Sequence, residues 1–169
     1  NRRGELSSER PATLKQVLDW ADQRIYLEID FKSSAKTDKV IEQIQDAGIG
    51  DHVILIVYNK NDVKKIMGSG MMVAVPVKKM SDIRDYEKMG VPRRAILAWT
   101  GTKNYDAKLI DKLRKANVLT AYGMMSPKYA KELDYSDTAV IVSDYPDEAK
   151  GKTGITLSDV ARLKSCGLD

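Results

Sequence analysis

The chain has a single cysteine, Cys166, and a single histidine, His52, in 169 residues. One thiol excludes an internal disulfide and a cysteine metal cluster. No apolar run approaches the ~18 residues of a membrane-crossing helix. Proline, glycine and serine nowhere gather into a linker, so residues 1–169 read as one domain. Neither sign of charge prevails: Lys and Arg number 28 against 24 Asp and Glu, a net charge of +4. With no basic arm, and no Lys/Arg run interleaved with aromatics, nucleic acid is not an expected partner. A mild attraction for anionic, phosphate-bearing small molecules fits that balance. The chain opens Asn1-Arg2-Arg3-Gly4 without a methionine, so it leaves targeting and compartment unread.

What the chain does have is a period. Helical patterns over Thr13 to Asp22, Asp38 to Ala47, Asp62 to Met67, Ser81 to Met89 and Asp106 to Ala116 alternate with short apolar runs. Those runs begin with Arg24 to Lys32 and continue with Val53 to Val57, Met71 to Val77 and Ala95 to Trp99. Val118 to Ala121 and Thr138 to Val142 complete them. A short helix after Ser126-Pro127 and another over Leu157 to Lys164 are expected as well. Gly48 and Gly90 stand where helices should stop. Strict alternation of strand and helix predicts an α/β fold of parallel strands joined by right-handed crossovers.

The first of these runs is the most telling. In a strand over Arg24 to Lys32, Ile25, Leu27, Ile29 and Phe31 share one apolar face, and Tyr26, Glu28, Asp30 and Lys32 share the other. Unpaired charges inside a sheet are costly, so such a face points to pairing, a metal or a site. An open doubly wound sheet covers both faces with helices and would not welcome that trio of charges. A (β/α)₈ TIM-type barrel carries its chemistry on the inner face at the C-terminal strand ends, yet needs ~250 residues. The expectation is therefore an incomplete barrel of about six β/α units.

Three stretches, Pro11-Ala12-Thr13-Leu14-Lys15-Gln16-Val17-Leu18, Leu27-Glu28-Ile29-Asp30-Phe31-Lys32 and Val53-Ile54-Leu55-Ile56-Val57-Tyr58, resemble glycerophosphodiester phosphodiesterases in order and spacing. Ile96-Leu97-Ala98-Trp99-Thr100-Gly101-Thr102 and the closing Val142-Ser143-Asp144-Tyr145-Pro146 extend the likeness across residues 1 to 148. Each motif alone is weak, and their order carries the resemblance. It implies a barrel of the phospholipase C-like kind and, for an intact enzyme of lipid metabolism, divalent-metal hydrolysis of a glycerophosphodiester to glycerol 3-phosphate and an alcohol. The family's two histidine motifs and its Glu-x-Asp metal pair have no counterpart here, since His52 matches neither motif. The resemblance thus implies the C-terminal two-thirds of such a barrel, inactive alone.

By motif matching, Asp30 takes the family's usual glutamate position and would bind Ca²⁺ or Mg²⁺, with Glu28 as a second ligand deeper in. Asp30 is one methylene shorter than that glutamate, which puts the metal distance in question. Lys32 takes the lysine position and would meet a phosphoryl oxygen. Tyr58 and Trp99 would flank the substrate, and Asp144 matches the aspartate of the last strand. The family's Trp-Thr-Val-Asn segment is replaced by Ala121-Tyr122-Gly123-Met124, so its aromatic role is either lost or moved to Tyr122. Plainer readings stand beside each: a structural salt-bridge layer for Glu28, Asp30 and Lys32, rim or core packing for the aromatics, and a turn cap for Asp144.

His52 is expected on the outer, N-terminal face, without a catalytic role. Met67, Met71 and Met72 read as packing filler. Gly68-Ser69-Gly70 lacks the Lys-Ser/Thr of a phosphate loop and precedes a strand. Two rival functions remain open: a non-catalytic relative kept for binding or assembly, and a receiver-like open sheet with Asp30 as phosphoacceptor. An incomplete barrel would also expose sheet edges and favour self-association.

Overall fold

The computed structural model describes residues 10–32, 34–58, 60–124 and 137–149. Six parallel strands form one sheet in strictly sequential order: β1 (Leu27–Asp30), β2 (Val53–Ile56), β3 (Met72–Pro76), β4 (Ile96–Trp99), β5 (Leu119–Met124) and β6 (Val140–Ser143). The helices between them are α1 (Leu14–Ala21) before β1, α2 (Thr37–Asp46), α3 (Lys60–Ile66), α4 (Met80–Lys88) and α5 (Ala107–Lys115). Sequential order with right-handed crossovers places every helix on the same side and curls the sheet into a half-barrel. A doubly wound sheet reverses its strand order part-way. That reversal is absent here, which removes the receiver-like reading.

Local chemistry explains where the helices begin and end. Thr13 and Gln16 form a capping box on α1: Gln16 N–H donates to Thr13 Oγ1 at 3.3 Å, and Thr13 N–H donates to Gln16 Oε1 at 2.9 Å. Asp106 caps α5 by accepting from Leu109 N–H at 3.0 Å. Gly48 and Gly90 adopt φ of +66° and +91° just after α2 and α4, the left-handed stop their positions predicted.

Strand alternation sorts the apolar residues into two cores. Val53, Leu55, Val73, Val75, Ile96 and Ala98 face the helices and pack with Leu18, Ile44, Val63, Ile83, Leu109 and Leu113. Ile54, Met72, Ala74, Leu97, Leu119 and Ala121 form the second cluster on the concave face, with Tyr26, Ile56 and Trp99 packed against it. Met71 and Met72 are buried in separate cores as filler, whereas Met67 is 43% exposed.

His52 departs from its expected outer position. It ends a 3₁₀ turn, Gly50–His52, immediately before β2, and is buried. Its ring stacks on Tyr26 with centroids 5.0 Å apart, and Nδ1 lies 2.9 Å from Asp51 Oδ1. The flat apolar face of Tyr26 offers more than the exterior does, so the ring turns inward. The helices expected after Pro127 and over Leu157 to Lys164 lie outside the described residues, as does Cys166.

Candidate active site at the C-terminal strand ends

Parallel strands all finish at one edge, and register decides which side chains meet there. Asp30, Ile56, Ala74 and Leu97 pair across β1 to β4 and share the concave face. One layer further, Pro76, Trp99, Ala121 and Val140 follow in the same way. Above these layers opens a cavity of about 420 Å³ whose wall includes Glu28, Tyr58, Lys78, Trp99, Thr100 and Val142. Its surface is mostly aliphatic and aromatic, with a few polar groups at the rim, the usual make-up of a small-molecule pocket.

Asp30 is the hub of the polar set. Its side chain is 29% exposed, and Oδ2 accepts a hydrogen bond from Lys32 Nζ. The other oxygen, Oδ1, is buried and has no hydrogen-bond partner among the described residues. An orphaned carboxylate oxygen in that setting is costly and marks a place where a further group fits. Tyr58 stands beside it, its hydroxyl pushed above the usual phenol range by partial burial and then by the neighbouring Asp30 carboxylate. Glu28 sits two residues back on the same face. Solvent reaches it through the concavity, yet enough protein surrounds it that burial raises its carboxyl above the ordinary range.

Lys32 is placed differently from the expectation. Its ammonium is 76% exposed, and it lines a neighbouring groove of about 400 Å³ with Tyr58 and Lys65, not the cavity wall itself. Lys32 lies two residues beyond the end of β1, where strand alternation no longer fixes direction, and the side chain folds back onto Asp30. That hydrogen bond, followed by the charge of Asp30, raises its pKa.

Tyr122 is also placed away from the cavity. It is 2% exposed and meets Tyr105 edge-on, with ring centroids 5.0 Å apart at 89°. The inward position beside it belongs to Gly123, where an added Cβ would stand 2.9 Å from Trp99 Cη2. Asp144 lies just beyond β6 at the same end of the sheet, exposed and outside the cavity wall. It does not cap the turn; Tyr145 N–H donates to Ser143 Oγ at 2.8 Å. Glu28, Tyr58 and Trp99 therefore share the cavity wall, whereas Asp30, at the end of β1, lies outside that wall and is paired with Lys32, which shares the neighbouring groove with Tyr58. Lys78 is not among the residues the sequence points to: like Lys32 it lies two residues beyond the end of its strand, where alternation does not fix direction.

Among the described residues no three His, Cys, Asp or Glu side chains converge as a metal cluster. The carboxylates of Glu28 and Asp30 are oxygen donors of the kind a hard divalent cation takes. Mg²⁺ and Ca²⁺ take about six to eight, so substrate, water or other groups must complete the set.

With this geometry in place, a comparison with solved structures becomes informative. A glycerophosphoryl diester phosphodiesterase from Parabacteroides distasonis ATCC 8503 superposes with a TM-score of 0.72 at 22% identity, over 86% of this chain. Over that span the fold is shared. The chain spans 56% of that neighbour's length. No family model and no curated protein sequence matches the chain.

Proposed function

We propose that the chain carries the metal- and phosphate-facing part of a glycerophosphodiester phosphodiesterase site, which in an intact barrel hydrolyses a glycerophosphodiester to glycerol 3-phosphate and an alcohol. The observation that carries this reading is the half-buried Asp30, with one free buried oxygen, at the C-terminal mouth of a parallel half-barrel. The shared fold supports it.

In this reading Asp30 and Glu28 would hold a divalent cation, which supplies neutralisation of charge on the phosphoryl oxygens. Lys32 gives up Asp30 Oδ2 and turns its ammonium to a phosphoryl oxygen. Tyr58, held protonated, donates to the diester, and Trp99 excludes water from the alcohol side. Proton transfer to the leaving alcohol needs a further acid–base group. His52 does not provide it, because it is buried beside Asp51 at the N-terminal end of β2, opposite the cavity. The chain alone is accordingly expected to bind and not to turn over. The Lys32–Asp30 pair also favours a second reading, a relative that binds without catalysis and uses this ion pair as structure.

Calorimetric titration of the purified chain with glycerol 3-phosphate, with and without Mg²⁺ or Ca²⁺, tests the proposal. Metal-dependent binding that is lost in Asp30→Asn supports the site. Metal-independent binding, or none, favours the second reading; steady hydrolysis of a glycerophosphodiester by this chain sinks the inactive-fragment argument.

A further inference from the structure

Lys78 has no place in the mechanism above, yet its surroundings set it apart from the other surface lysines. It lies two residues beyond the end of β3 and forms part of the cavity wall. Among the described residues of that wall it is the one cation. Lys15, Lys32, Lys60, Lys65 and Lys115 are each tied to a carboxylate of Asp19, Asp30, Asp85, Asp62 or Asp111. Like Lys36, Lys39, Lys64 and Lys108, Lys78 has no ion-pair partner among the described residues; its place in the cavity wall is what distinguishes it from them.

Its backbone, by contrast, is fixed. Lys78 N–H and Lys79 N–H both donate to Asp82 Oδ2, at 2.8 and 3.1 Å, and Val77 N–H donates to the Trp99 carbonyl at 2.9 Å. The nearby acid is thus engaged with the main chain, and the Cα of Lys78 is held at the cavity mouth while its ammonium stays free. Across the cavity the polar wall consists of Glu28, Tyr58 and Thr100, and the remainder is largely apolar. An anion entering that space meets one uncommitted positive charge above a poorly polarisable floor, where a charge-assisted hydrogen bond is stronger than in water.

We propose that Lys78 is a phosphate-binding and specificity-determining residue of this site, holding the phosphoryl anion from the β3 side while the alcohol lies against Trp99 and Val142. This rests on the reading of the cavity as a phosphodiester site and adds to it a contact that selects anionic over neutral polyols.

The test uses the purified chain and its Lys78→Met, Lys78→Arg and Lys108→Met variants, each checked for folding by circular dichroism. Glycerol 3-phosphate and, separately, inorganic phosphate and glycerol are titrated in the presence of Mg²⁺. Lys78→Met is expected to weaken glycerol 3-phosphate and phosphate binding about tenfold. Lys78→Arg should recover most of that loss, glycerol should respond to neither change, and Lys108→Met on α5 should bind as wild type does. Unchanged phosphate affinity in Lys78→Met, with Asp30→Asn still abolishing binding, overturns the role of Lys78 and leaves the site intact. Absence of phosphate binding by wild type overturns both.

Discussion

Gly123 is the residue whose lack of a side chain does the most for the cavity. A methyl group there would approach Thr102 Cγ2 to 2.5 Å and Trp99 Cη2 to 2.9 Å, closer than carbon atoms pack. Gly123→Ala must therefore drive the indole into the cavity, costing about 1–3 kcal/mol as overpacking does. In a Trp20→Phe background, where Trp99 is the sole indole, its emission should shift and ligand affinity should fall. Glu28 yields a prediction in pH. Burial raises its carboxyl pKa in the folded state. The unfolded chain then releases that proton first as pH rises, so the stability contributed by Glu28 is complete below the ordinary carboxylate pKa. It is lost as pH climbs through the raised folded value. Glu28→Gln has no such loss. Without added divalent cation, its melting temperature should match wild type at acid pH and exceed it at neutral pH. A constant difference across pH would contradict this account.

At the scale of elements, α1 depends on its N-terminal box. Thr13→Ala removes the side-chain acceptor for Gln16 N–H and should lower stability by about 1 kcal/mol in urea unfolding. The elements themselves were readable because parallel strands buried on both faces give short apolar runs, and the intervening helices keep a 3.6-residue stripe. The orientation of residues at strand ends was less so. Tyr122 enters the site expectation only through the family's Trp-Thr-Val-Asn segment, whose place Ala121-Tyr122-Gly123-Met124 takes, and not through strand alternation. Pairing of Tyr122 with Ile141 and Gly123 with Val142 prolongs β5, and parity then sends Tyr122 to the helix side. Its ring contact with Tyr105 joins residues far apart in sequence, which no local pattern reports. Glu28 and Asp30 were placed correctly on the inner face because they lie within β1, where alternation holds. Lys32 lies beyond β1, where it does not.

For the whole molecule, the described sheet ends in β1 on one side and β6 on the other, with no further strand on either. Such edges carry unpaired backbone groups, and the concave face adds apolar area that includes Val142, 36% exposed. Sedimentation velocity should show concentration-dependent association of the chain, relieved by Val142→Lys. A single monomer boundary at every concentration would show that these surfaces are satisfied within the chain. One side chain also governs how much room this molecule has. Tyr58, 60% exposed, stands with Ile56 and Val57 between the cavity of about 420 Å³ and the groove of about 400 Å³, and both spaces count all three as wall. A rotamer change there, of the kind exposed side chains make in picoseconds to nanoseconds, would lower the side-chain part of that wall and bring the two spaces toward a single trough between Lys78 and Lys65. Elongated guests then gain a berth that neither compartment offers alone, and no backbone has to move.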